Sequence, residues 1–245
     1  MRGEAEQKCL EQIQNDIKGV CGNGQSLECV YSDCPVEVLK LICCAKPNPQ
    51  SSKFPDFLFP GGFIEHFEVT TTKESKKGAA LKREENKFQK EVKNQFEAFR
   101  EEIAGITEPH TIVSRVVEKN FLGSTYDDFV SSFERNWKHH IGSLDNYCGE
   151  KDIGIFLIEN TGSAFKQMRN EQYLGALHRL SVDKRLLSIV EENKGKLSYV
   201  VYKQAQFYEI IKVETIPMLM KQIPEWLYFV PGRKITSNIY MGIVL

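Results

Sequence analysis

No apolar run in this chain approaches the roughly 18 residues of a membrane-spanning helix. The charged and polar start does not read as a secretory signal, so no membrane association is expected. Charge of one sign is missing too. Thirty-two Lys and Arg stand against 33 Asp and Glu, a formal net charge of -1 over 245 residues. That disfavours a uniformly basic nucleic-acid wrapper and leaves room for a local basic cleft. There is no GxSxG elbow, no GxGxxG turn and no GxxxxGK[ST] loop, which disfavours a nucleophile-elbow hydrolase, a dinucleotide domain and a P-loop NTPase. The seven cysteines form no close CxxC pair and have no histidines at zinc-finger spacing. Their odd number, and the adjacency of Cys43 and Cys44, argue against a disulfide framework and for cytoplasmic thiols.

What is present is an alternation of helical and strand patterns. Residues 4–18 carry Leu10, Ile13 and Ile17 at helical spacing, and Pro35 opens a second short helical pattern through Ile42. Phe57–Phe59 and Phe63–Thr70 are rich in aromatic and β-branched residues around Pro60, Gly61 and Gly62, which reads as a β-hairpin. A long helix is expected from Ala79 to Ile103, packing on the sheet through Phe88, Val92, Phe96 and Phe99. Ser124–Lys138 reads as a further helix, Ile153–Ile158 and Leu197–Tyr202 as strands, and Ile239–Leu245 as a terminal strand. The economical fold is a single α/β domain with a mixed central sheet at 51–245. Residues 1–50 form a helical N-terminal region, either a lobe of its own or a cover for one side of the sheet.

The sharpest local feature is the segment PDFLFPGGFIEHFEVT, residues 55–70. Strand alternation places Glu65 on the face of Phe63, Phe67 and Val69, and places His66, Glu68 and Thr70 on the other. A hairpin can bring Asp56 near an acid on the adjoining strand. Two close carboxylates repel unless a proton or a cation lies between them. A hard divalent ion takes such oxygen ligands, activates water and stabilises charge on a phosphodiester. Lys73, Lys76 and Lys77 follow the strand and suit phosphate. Alternation alone does not choose between Glu65 and Glu68.

These residues resemble the PD-(D/E)xK nuclease superfamily: Pro55–Asp56, then an acid-bearing apolar strand, within a helix–hairpin–helix–strand order over about residues 54–160. The resemblance implies a restriction-endonuclease-like mixed sheet flanked by helices. It also implies Mg²⁺ or Mn²⁺ as cofactor and endonucleolytic hydrolysis of nucleic acid, DNA before RNA, with pairing of two chains as a homodimer a reasonable family expectation. Asp56 matches the first acid and Glu65 the second, with Glu68 the alternate. Glu65 is preferred because it interrupts an apolar strand. The lysine expected two positions after the second acid is Phe67 or Thr70 here, so Lys76 or Lys77, and after them Lys73, would supply the cation from elsewhere. Glu11 is a weak match to an extra acid on the first helix. The missing lysine also supports an alternative, a catalytically inactive nuclease-like protein that binds nucleic acid or a partner.

Outside this segment the signals are weaker. His139 and His140 read as a capped or solvent-facing helix end rather than a metal pair. Asp152, Glu159 and Asn160 flank the strand Ile153–Ile158 and are secondary candidates at a strand end. Tyr199, Tyr202, Phe207 and Tyr208 lie among lysines, but core packing explains them more simply than base stacking.

Overall fold

The computed structural model describes residues 4–22, 36–50, 53–70, 79–103, 112–120, 126–161, 165–169, 172–175, 178–231 and 234–242. Lys73, Lys76 and Lys77, together with Cys29, Cys34 and His110, lie outside the described residues.

The centre is a six-stranded mixed sheet in the order β1 (Lys46–Pro47), β2 (Phe57–Phe59), β3 (Gly62–Val69), β5 (Ile153–Asn160), β8 (Tyr199–Gln204), β9 (Phe207–Lys212). Four of the five strands expected from the sequence pattern lie in it, and the fifth, the terminal strand, falls instead in β11 (Lys234–Gly242), outside this sheet. β2 and β3 form the hairpin, β3, β5 and β8 run parallel, and β9 returns antiparallel to β8. Pro60 and Gly61 make the two-residue turn, with Gly61 at φ 82°, where a Cβ is disfavoured. Gly62 is required by contact: a Cβ there would lie 2.1 Å from the carbonyl oxygen of Ile153.

Both faces of the sheet are covered, which is why β3 and β5 read as nearly unbroken apolar runs. On one face α4 (Tyr126–Asp145) packs on β3, placing Phe133, Trp137 and Leu144 against Phe63, Phe67 and Phe156. α5 (Lys184–Glu191) and α6 (Ile216–Gln222) extend this core. On the other face α1 (Glu4–Gly22) and α2 (Val36–Cys44) pack Leu10, Ile13, Ile17 and Leu39 against Ile64, Ile155, Leu157 and Val201. The N-terminal helices thus cover the sheet and share its core.

The long helix α3 (Ala79–Ile103) forms as its periodicity predicts, but among the described residues it contributes to neither sheet core. It packs on β4 (Ile112–Asn120), which pairs along its whole length with β11 (Lys234–Gly242). Phe88 and Phe99 are buried, Val92 is half-buried, and Phe96 is exposed at 39%. β6 (Phe165–Arg169), β7 (Gln172–Gly175) and β10 (Leu227–Pro231) form a small separate antiparallel sheet that the sequence pattern did not suggest. No helix among the described residues is long and apolar enough to cross a membrane.

Candidate functional site

Asp56 is fixed just before β2. Asn48 holds the chain there: its backbone N–H donates to Asp56 O at 2.8 Å, and its side chain donates to Pro55 O at 2.7 Å. Because Phe57 pairs with Ile64, the next cross-strand position sets Asp56 opposite Glu65. The backbone N–H of Asp56 donates to Glu65 Oε2 at 3.1 Å, and the N–H of His66 donates to Asp56 Oδ2 at 2.9 Å. Glu65 is 6% exposed and Asp56 half-buried.

Burial, then the neighbouring Glu65, pushes Asp56 up to about 6. Burial likewise pushes Glu65 up to about 7, against the lowering effect of its hydrogen bonds with Asp56. Glu6, on α1, raises both further. It is therefore Glu6, and not Glu11, that brings an acid from the first helix to this hairpin. Glu11 is exposed and accepts a bond from Gln7.

His140 completes the cluster. Its Nδ1 lies 2.7 Å from Glu65 Oε1, and its ring stacks on Phe67 with centroids 4.5 Å apart. Burial lowers its pKa to about 4. With Glu65 raised and His140 lowered, a proton between the two belongs to the carboxyl, and the imidazole stays neutral near neutral pH. The expectation of a capped or solvent-facing pair at His139 and His140 fails for His140. It follows Phe133 by seven residues and Trp137 by three, on the stripe of α4 that faces the sheet. That spacing was available in the sequence as a signal.

Glu68 is exposed on the opposite face of β3, where Thr161 Oγ1 donates to its Oε2 at 3.4 Å. The structure brings Asp56 to Glu65 and not to Glu68.

A second cluster lies on that opposite face, at the C-terminal ends of the three parallel strands. Glu159 is aligned with Glu68 on β3 and with Lys203 on β8. Lys203 Nζ is 2.7 Å from Glu159 Oε1, and His66 Nε2 is 3.4 Å from Glu159 Oε2. Burial works against the Glu159 charge, but the contacts with His66 and Lys203 prevail and hold its pKa at about 2. Cys9 of α1 closes the group; burial, then Glu159, pushes its thiol well above the ordinary range. Glu159 was a secondary candidate from its place after an apolar strand. Cys9 and Lys203 carried no motif, because their partners are remote in sequence.

A third polar network is fully internal. His178 places Nδ1 2.7 Å from Tyr202 Oη and Nε2 2.9 Å from Asp183 Oδ2, while Asn160 donates to Tyr202 at 2.9 Å and Tyr126 donates to Asp183 at 2.7 Å. Asp183 also caps α5 by accepting from the Leu186 N–H. His178 and Asp183 are almost fully buried, so this network braces the second half of the fold. Asp152 is exposed and stands just before β5.

No protein-family model, curated protein or solved structure matches this chain.

Proposed function

We propose that the chain is a metal-dependent nuclease of the PD-(D/E)xK kind, hydrolysing phosphodiester bonds of nucleic acid, DNA before RNA, with Asp56 and Glu65 as its metal-holding carboxylates. The observation that carries this reading is the meeting of these two carboxyls across one hairpin, both held above their ordinary range. Such a pair is reconciled by a shared proton or by a cation. The donor set is oxygen-only and anionic, with Glu6 close enough to add to its field, and it fits Mg²⁺ or Mn²⁺. A helix, a hairpin, a helix and a strand parallel to β3 occur in this order as α1, β2–β3, α3 and β5, with α2 and β1 before the hairpin and β4 and α4 between α3 and β5, and this order supports the reading.

A bound Mg²⁺ would supply charge neutralisation at the phosphate and a lowered pKa for a coordinated water. The remaining tasks fall to the chain. Asp56 and Glu65 hold the ion. His140 keeps Glu65 oriented through Nδ1. Lys76 or Lys77, with Lys73 the remaining donor, is assigned to the phosphate, since Lys203 is committed to Glu159 on the other face.

The second reading is a nuclease-like protein that binds nucleic acid or a partner without cleaving. It is favoured by Phe67 and Thr70 standing where a lysine is expected, and by His140 already occupying one oxygen of Glu65. The test is cleavage of labelled single- and double-stranded DNA and RNA with Mg²⁺ or Mn²⁺, and with chelator. Metal-dependent cleavage lost in both Asp56→Ala and Glu65→Ala supports the enzyme. Activity surviving both substitutions excludes this site, and nucleic-acid binding with no cleavage of any substrate establishes the second reading.

A further inference from the structure

The cluster on the far face of the sheet calls for an explanation independent of the nuclease reading. Cys9, His66 and Glu159 come from α1, β3 and β5, and one donor atom from each lies within 4.8 Å of the other two. His66 is 5% exposed, and its Nε2 is buried without a hydrogen-bond partner. An orphaned buried ring nitrogen is costly, and native proteins seldom keep one without a use. Nε2 lies beside Glu159 Oε2 at 3.4 Å in a geometry that makes no hydrogen bond. Two ligands of a tetrahedral zinc, with bonds of about 2.0–2.2 Å, sit about 3.4 Å apart. This nitrogen and oxygen are therefore already spaced as co-ligands, and the sulfur has at most about 1 Å to close.

We propose that Cys9, His66 and Glu159 form a binding site for a borderline-soft divalent metal, Zn²⁺ in the first place. The donor chemistry selects it: a thiolate and an imidazole suit Zn²⁺ and are poor ligands for Mg²⁺. Lys203 is bonded to the other oxygen of Glu159 and fixes the carboxylate in place. On binding, the Cys9 S–H proton leaves to solvent as the sulfur–metal bond forms, with no change of oxidation state. Three protein ligands would leave a fourth position for water or a small anion. A nucleophilic cysteine is the competing use of the same residues. It is disfavoured because Cys9 is 3% exposed and burial, then Glu159, holds its thiol in the protonated form.

The test uses the full chain, stripped with chelator and kept reduced with a phosphine, titrated with Co²⁺ as a spectroscopic stand-in for Zn²⁺. The expected result is a near-ultraviolet thiolate-to-cobalt band, with tetrahedral visible bands, that saturates at one thiolate-bound ion per chain, and displacement of both by Zn²⁺. Cys9→Ser should remove the thiolate band, and Glu159→Gln should weaken binding at least about tenfold. Cys43→Ser and Cys148→Ser should leave the thiolate band unchanged, and that band, which the all-oxygen Asp56–Glu65 pair cannot give, separates this site from the pair. Absence of the thiolate band in the unsubstituted protein overturns the proposal. So does a band that persists in a Cys9→Ser protein, or binding unchanged in Glu159→Gln with native circular dichroism.

Discussion

Nδ1 of His140 lies 2.7 Å from Oε1 of Glu65, across 75 residues of sequence and on the opposite side of the Glu65 carboxyl from Asp56. Asp56 and Glu65 bind protons more tightly in the folded chain than in the unfolded one, so each loses stabilisation as pH rises toward about 6 and about 7. His140, lowered to about 4, works the other way and gains stabilisation as pH rises from there to its ordinary value. Two groups outweigh one. Asp56→Asn and Glu65→Gln should therefore gain stability relative to the parent between about pH 5 and pH 8, by about 1–3 kcal/mol, read from urea midpoints at the two pH values.

A cation should do what the proton does. Mg²⁺ or Mn²⁺ at about a hundred times its dissociation constant should raise the stability of the parent at mildly alkaline pH by about 2.7 kcal/mol. In Asp56→Asn and Glu65→Gln the increment should vanish, and nuclease activity should fall by about 10³-fold, equivalent to about 4 kcal/mol of transition-state stabilisation. Thermal melts with and without the ion, paired with the cleavage assay, check both.

His140→Phe retains an aromatic ring to stack on Phe67 but loses the bond to Glu65. It should destabilise by about 1–2 kcal/mol and remove the partner that orients Glu65 for a metal. Denaturant midpoints and the Mg²⁺-induced shift measure the two effects separately.

Asp183→Ala removes the cap of α5 and leaves His178 Nε2 buried without its acceptor, so it should cost about 3 kcal/mol or more. Asp183→Asn keeps an acceptor and should cost less. Equal midpoints for the two variants would refute a bracing role for the network.

Gly62→Ala tests the packing that sets the hairpin against β5. The added Cβ would meet the Ile153 carbonyl, which is backbone and cannot rotate away, so a loss of about 1–3 kcal/mol is expected in urea unfolding.

Local pattern in the sequence determined a good deal here. Alternation and β-branched content mark β2, β3, β5 and β8, and helical spacing marks α1, α3 and α4, because these signals act within a few residues of one another. The Asp56–Glu65 pair was legible for the same reason: a two-residue turn leaves little freedom in what faces what. Tertiary structure alone decided the rest. Which glutamate meets Asp56 depends on hairpin register, and that His140 caps Glu65 depends on how α4 lies on the sheet. Cys9, His66, Glu159 and Lys203 become neighbours only when α1 covers three parallel strands whose ends are in register. Contacts of such long sequence separation leave no periodicity or spacing behind, since each residue belongs locally to an ordinary helix or strand face.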